Sequence, residues 1–309
     1  MESTPRPRRS RAAAGDPHVA AGPLVARWLG RIAYRDAWAV QRALVALRGE
    51  DRIPDQLLLL EHGPVVTLGR HADPGHVLAP PALLAERGIE VVRVERGGEV
   101  TYHGPGQLVA YPIVDLDARR LGVRPFVEAL EAALAETCAV FGVRAGSRAG
   151  HPGCWCDPDS PLPRKIGALG IRVRRGIAFH GIALNVSVDL ADFGLIDPCG
   201  MPGLASTSLA RERGEPAVRP TTESVAAAAA AFAPALARRL GAELRGALPP
   251  AADGAAERAA LDRLVATAPD PAALDELAAT GPGPAARPAA TGPGPAASAA
   301  PAVPVAVEA

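Results

Sequence analysis

The sequence predicts an α+β fold: a single mixed-sheet domain with helices appended, between two disordered ends. Three observations lead there. Apolar runs of strand length alternate with segments of helical period between about residues 23 and 248. The first end is rich in Arg, Ala and Pro and the last in Ala, Pro and Gly, compositions that cannot bury a core. The chain is 309 residues long and 48% hydrophobic, enough for one large core. Its 33 basic and 33 acidic residues give a formal net charge of zero, so no global field favours nucleic acid or an anionic membrane. No apolar run approaches the roughly 18 residues of a spanning helix, and no signal-peptide core follows the basic N-terminus. A cytoplasmic protein with no nucleic-acid or membrane partner is therefore expected.

Residues 1–22 are Arg-, Ala- and Pro-rich without apolar period and read as a disordered arm. Residues 23–248 form the expected domain, opening with an amphipathic helix at Tyr34 to Leu47 and an apolar strand at Gln56 to Glu61. A short helix follows at Pro80 to Arg87, with proline suited to its first turn and Gly88 just past its end. Strands are expected at Glu90 to Val94 and Gln107 to Leu116, the second at an edge or a bulge because it contains Pro112. Pro125 to Phe141 has helical spacing and is closed by Gly142. A hairpin runs from Lys165 to Val188 around Arg174, Arg175 and Gly176. Thr222 to Leu244 is Ala-rich and helical. Residues 249–309 read as a weakly helical to disordered tail, which carries AATGPGPAA at Ala278 and again at Ala289.

The four cysteines, Cys138, Cys154, Cys156 and Cys199, are too few for a disulfide framework and leave thiol chemistry open. Cys138 falls on the apolar face of a predicted helix. Cys154 and Cys156 are one residue apart, which is not a zinc spacing, so both read as packed thiols and no metal is expected. Cys199 lies in Asp197-Pro198-Cys199-Gly200, a tight turn that suits an exposed sulfur beside backbone N–H groups, although an inert buried thiol fits as well. Lys165 is the one lysine among 33 basic residues. Where charge alone matters arginine serves, so a position that keeps lysine is a candidate for an amine that must lose its proton.

Arg96-Gly97-Gly98-Glu99-Val100-Thr101-Tyr102-His103-Gly104-Pro105-Gly106-Gln107 places four glycines and a histidine between two strands, as a ligand-binding loop would. An ordinary Gly/Pro turn has the same composition. His180, in Phe179-His180-Gly181, lies in a strand, where histidine is more often structural than catalytic.

Together the RGGEVTYHGPGQ loop, Lys165-Ile166-Gly167-Ala168-Leu169-Gly170-Ile171-Arg172-Val173 leading into FHGIALNV, and the Cys199 turn resemble the lipoyl(octanoyl) transferase family. The resemblance runs from about Val25 to about Leu244. It implies a single domain similar to the catalytic domain of biotin and lipoate protein ligases. In such an enzyme an octanoyl group passes from octanoyl-acyl carrier protein to Cys199 as a thioester, and then to a lysine of a lipoyl domain. The lipoyl domains would be those of 2-oxoacid dehydrogenase complexes and the glycine cleavage H protein. Lys165 would be the partner of Cys199. Arg96, Gly97, Gly98, Glu99, Val100, Thr101, Tyr102 and His103 would bind substrate with Ala168, Leu169, Gly170, Gly181, Ile182 and Ala183. No cofactor is implied, and a monomer is expected. The Cys154-Trp155-Cys156 stretch and the long tail depart from the family pattern.

A thiol of pKa near 8.5 is about 3% thiolate at neutral pH; lowering it to about 7 gains roughly sixteenfold. Lower nucleophilicity removes about fivefold of that, so thiol activation alone does not account for Lys165. A proton carrier for the second transfer does, since acylation of Cys199 removes the negative charge that keeps the amine protonated. Arg172, Arg174 and Arg175 at the hairpin tip would suit an acidic carrier protein. The rival readings are an ATP-dependent lipoate or biotin ligase, a thioesterase and a non-catalytic acyl-protein binding module.

Overall fold

A computed structural model describes residues 22–197, 203–215, 221–249 and 254–269. In chain order the elements are β1 (Leu24–Ile32), α1 (Tyr34–Gly49), β2 (Asp55–His62), β3 (Val65–Leu68), α2 (Pro81–Glu86), β4 (Glu90–Arg93), β5 (Val100–His103) and β6 (Gln107–Asp115). They continue with α3 (Val123–Val140), β7 (Gly146–Arg148), β8 (His151–Cys156), β9 (Arg164–Arg174), β10 (Ile177–Asn185), β11 (Ala205–Ser206) and α4 (Leu209–Glu212). The last are α5 (Thr222–Arg239), β12 (Leu244–Arg245) and α6 (Gly254–Val265). The large sheet has the order β12-β1-β2-β6-β10-β9-β8-β7, with β11 added to β9; the small one has the order β4-β3-β5. The mixed α+β domain expected from the sequence is the one observed.

Strand alternation assigns the two faces of the large sheet. Leu57, Leu59, Leu108, Ala110, Ile182 and Leu184 face α3 and α5, where they meet Phe126, Leu130, Phe232 and Leu236. Leu58, Leu60, Val109, Tyr111 and Ala183 face α1 and α6 and meet Leu44, Leu47 and Leu261. Because both faces are covered, β2, β6 and β10 are buried at every residue. Their sequences are accordingly apolar runs without a polar face. Each fully buried leucine contributes roughly 1.5–3 kcal/mol relative to an exposed one.

Pro112 does not mark an edge. β6 is central, paired with β2 on one side and β10 on the other. The ladder to β10 instead opens between Ala178↔Val114 and Ile182↔Ala110, leaving Phe179, His180 and Gly181 unpaired with β6. A proline lacks the N–H that this stretch would need. Its Cδ lies 2.7 Å from where a Cβ on residue 181 would stand, which is why glycine occupies that position. His180 turns into the left-handed region at φ 56°, and its N–H donates to Gln41 Oε1 of α1 at 2.9 Å.

Other boundaries also differ from the sequence reading. The helix expected to reach Leu244 ends at Arg239, because Gly241 takes φ 59° and the chain then extends to pair Leu244 with Leu24. Residues 96–107 are not wholly loop: Val100–His103 forms β5, antiparallel to β3. The β9–β10 hairpin turns at Arg175 and Gly176, both at positive φ (50° and 80°), the twist that two-residue hairpins favour.

The small sheet rests on its own core of Val66, Leu68, Tyr102, Val188, Leu195 and Ile196. Its glycine turn lies over the middle of the β9–β10 hairpin. There the Gly97 N–H donates to Ile171 O at 3.0 Å. Arg96 fastens the turn, donating to Thr67 O at 2.7 Å and to Gly97 O at 2.9 Å.

Candidate active site

Small residues let the glycine turn approach the hairpin and let β10 pass close to β6. A Cβ on Gly170 would lie 2.8 Å from Gly97 O, and one on Gly181 would collide with Ala110 O. Between the glycine turn and the hairpin lies a cleft enclosing about 530 Å³, part of it open to solvent. It is lined by Arg96, Gly98, Glu99, Val100, Thr101 and His103 from the turn and β5. Ala168, Leu169, Gly170, Gly181, Ile182 and Ala183 line it from the hairpin, where they pair strand to strand.

Two expected binding positions are not in the lining. Gly97 spends its N–H on Ile171 and its carbonyl on Arg96. Tyr102 points away, packing edge-on against Phe193 and donating its hydroxyl to Asp192 Oδ2 at 2.6 Å. Burial and then that carboxylate hold its pKa well above the usual phenol value.

Lys165 lines the cleft from β9 and is 9% exposed. Its Nζ lies 5.0 Å above the centroid of the Trp155 ring, a cation–π contact. The stem passes Gly153, where φ is 136° and a Cβ would stand 2.8 Å from Lys165 Cε. Glu131 lies on the same side, accepting from the Gly153 N–H at 2.9 Å. Burial raises the Glu131 pKa, while the Lys165 charge works to lower it.

Cys199 lies outside the described residues. The described chain before it ends at Asp197, whose N–H donates to His76 O at 2.8 Å. After it, Ala205 and Ser206 pair with Arg164 and Lys165, and the Thr207 N–H donates to Lys165 O at 2.9 Å. The other three cysteines are buried and unlinked, with Cys138 on α3 and Cys154 on β8 in one core.

Three cleft residues were not among the expected binding positions: Tyr34, Tyr111 and His180. With His62 and His103 they form a buried aromatic cluster. His62 Nδ1 faces Ile32 O at 2.9 Å and must therefore donate, so Nε2 accepts from the Tyr111 hydroxyl at 2.8 Å. Burial, opposed by that carbonyl, brings His62 down to about 4. His103 falls to about 3, first through burial and then through neighbouring His62. Burial also lowers His180 and pushes Tyr34 up to about 12. The imidazoles are therefore neutral and the phenols protonated at neutral pH. Neither ring nitrogen of His180 has a hydrogen-bond partner among the described residues; Nε2 stands 3.8 Å from Glu95 Oε1, too far for one.

Residues 33–232 match the lipoyl protein ligase A/B catalytic domain family. The chain belongs to that family. An octanoyltransferase of Acidobacterium capsulatum is 50% identical over 192 residues, covering 60% of this chain and 78% of that protein. One from Chloroflexus aurantiacus is 47% identical over 206 residues, covering 66% of this chain and 91% of its own. Among solved structures, the bi-partite lipoate protein ligase of Thermoplasma acidophilum aligns with a TM-score of 0.52 at 15% identity. That alignment covers 80% of this chain and 92% of that one. A lipoate-protein ligase A bound with ATP gives the same score and identity over 80% and 94%. This lipoyl protein ligase A/B chain therefore shares the ligases' fold, while its closer sequence likeness is to octanoyltransferases. Its β12 and α6 lie beyond the stretch that matches the family.

Proposed function

We propose that the protein is an octanoyltransferase that carries octanoyl from acyl carrier protein to a lysine of lipoyl domains through a Cys199 thioester. The Cys199 thiolate attacks the carrier thioester, the bond from the acyl carbon to the carrier sulfur breaks, and the carrier leaves as a thiol with the proton of the Lys165 ammonium, which becomes the neutral amine of the acyl-enzyme. The incoming lysine amine then attacks that thioester, the amide C–N bond forms, the C–S bond breaks, and the surplus proton of the nitrogen passes to the Lys165 amine. The observation that carries this reading is that the one lysine of the chain stands in the cleft between the glycine turn and the hairpin.

Chain continuity supports the pairing with Cys199. The chain leaves Asp197 beside His76, whose ring nitrogen lies 3.4 Å from cleft residue Glu99, and returns at Ser206 against Lys165 itself. Trp155 holds the Lys165 side chain in place, and acylation of the sulfur removes the negative charge opposite the amine. Val100, Ala168, Leu169, Ile182 and Ala183 give the acyl chain an apolar wall. The catalytic unit is assigned to about residues 23–248 of a cytoplasmic monomer, and its acceptors to the lipoyl domains of 2-oxoacid dehydrogenase complexes and the glycine cleavage H protein.

The ligase alternative shares the fold but needs ATP. The test is transfer from octanoyl carrier protein to a lipoyl domain without nucleotide, run in single turnover with wild type and Lys165→Arg. Wild type should transfer without ATP, while Lys165→Arg should keep part of its acylation rate and lose transfer by roughly a hundredfold or more. A strict ATP requirement would establish the ligase, and equal loss of both steps in Lys165→Arg would remove the proton-carrier role.

A further inference from the structure

His103 is the end of a hydrogen-bonded chain whose direction is fixed by backbone carbonyls. Asn185 Nδ2 donates to Thr207 O at 2.9 Å, which turns Asn185 Oδ1 toward Gln107. Gln107 Nε2 donates to that oxygen at 2.9 Å and to Tyr102 O at 3.3 Å. Gln107 Oε1 therefore faces His103 Nδ1, at 2.7 Å. An amide oxygen only accepts, so Nδ1 carries the hydrogen and Nε2 carries a lone pair. Flipping the amide to accommodate the other tautomer would set Gln107 Oε1 against two acceptors at once. The far end of the chain is tied to the catalytic strand, since the Thr207 N–H donates to Lys165 O.

We infer that Gln107 is a positioning residue that locks His103 in this tautomer, so that the Nε2 lone pair accepts an N–H of the incoming lysine amine. The inference rests on the octanoyl-transfer reading. The ring lines the cleft with Lys165, and its hydrogen bond to Gln107 is made through Nδ1 and not Nε2. Its surroundings, Tyr34 stacked at 6.1 Å and the His62 edge at 5.9 Å, hold it in place without using that nitrogen. A neutral acceptor repels a thioester carbonyl, which offers only lone pairs, and attracts N–H. Held by one N–H, an amine keeps its own lone pair for the acyl carbon. The carrier's pantetheine arm also has amide N–H groups, but it is engaged in acylation, whereas the lysine amine is engaged in the second transfer. The two are therefore separable by step.

The test uses the full chain labelled with ¹⁵N in histidine, read by long-range ¹H–¹⁵N correlation near neutral pH, together with single-turnover rates of acylation and aminolysis. Wild-type His103 should show a protonated Nδ1 and a pyridine-like Nε2; the reverse pattern would overturn the inference. Gln107→Leu should shift His103 toward the other tautomer and slow aminolysis roughly tenfold, with acylation changed far less. A second pair covers misfolding of that variant. His103→Gln, which puts an amide near the Nε2 position, should retain more aminolysis than His103→Phe, while the two acylate alike. If acylation and aminolysis fall together in these variants, His103 serves packing or the pantetheine arm and the inference is wrong. If wild type forms no acyl-enzyme at all, it is the octanoyl-transfer reading that fails.

Discussion

Lys165 shows how one backbone choice can determine where a reactive group lies. Its stem passes where any Cβ on residue 153 would stand, so Gly153→Ala should displace the amine as well as strain a φ of 136°. The expected outcome is transfer activity reduced more than tenfold with the acyl carrier still bound, measured by single turnover and titration; unchanged transfer would disprove it. Lys165 was legible in the sequence because it is the one lysine in an arginine-rich chain. Tyr34 and Tyr111 were not, because each resembles an ordinary helix or strand residue until sheet packing brings it to the cleft, and for His180 the strand position favoured a structural role. The histidines also make a pH prediction. His62 at about 4 and His103 at about 3 lie below the ordinary value of 6.5, so on acidification the unfolded chain takes up their protons first. Stability is then fully present above about pH 6.5 and declines as pH falls toward the folded values, by about 2 kcal/mol per histidine between about pH 7 and about pH 5. Urea midpoints at those two pH values check it; a midpoint that holds or rises in acid contradicts it.

Among the elements, β10 shows most clearly what local signals convey and what they miss. The hairpin with β9 was legible from Arg175-Gly176 between apolar runs, since turn chemistry is local. The central position of β6 was not, because a proline normally excludes that site and the compensation comes from another strand. That compensation depends on Gly181, where a Cβ would meet Ala110 O and Pro112 Cδ together. Gly181→Ala should therefore cost about 1–3 kcal/mol or more by denaturant unfolding, since neither contact atom belongs to a flexible side chain. A substitution within error of wild type would mean that the ladder closes another way. β1 and β5 escaped the sequence reading because the first is half-buried along an irregular pattern and the second is four residues long inside a glycine-rich segment.

At the scale of the whole molecule, the fold extends beyond the part that matches the family. α6 packs on β1 and α1, with Leu261 buried in the core, Arg258 donating to Leu29 O, and Glu257 paired with Arg27 at 3.0 Å. Leu261→Ala should then destabilise the entire domain by about 2–5 kcal/mol, as a core truncation does. If the effect were confined to local fraying with an unchanged global midpoint, α6 would be an appendage. The overall class and the cleft's two principal segments could be read from the chain because strand runs and the glycine-rich segment are contiguous in sequence. What joins them could not, because contacts such as Asn185 to Thr207 and Gly97 to Ile171 depend on three-dimensional register. The central claim is that an acyl group rests on Cys199 on its way to a lysine, and intact-mass measurement after mixing the full chain with octanoyl carrier protein tests it most directly. Wild type should gain one octanoyl group and Cys199→Ala none. An unmodified wild type that still octanoylates a lipoyl domain, or an adduct that survives in Cys199→Ala, would contradict it.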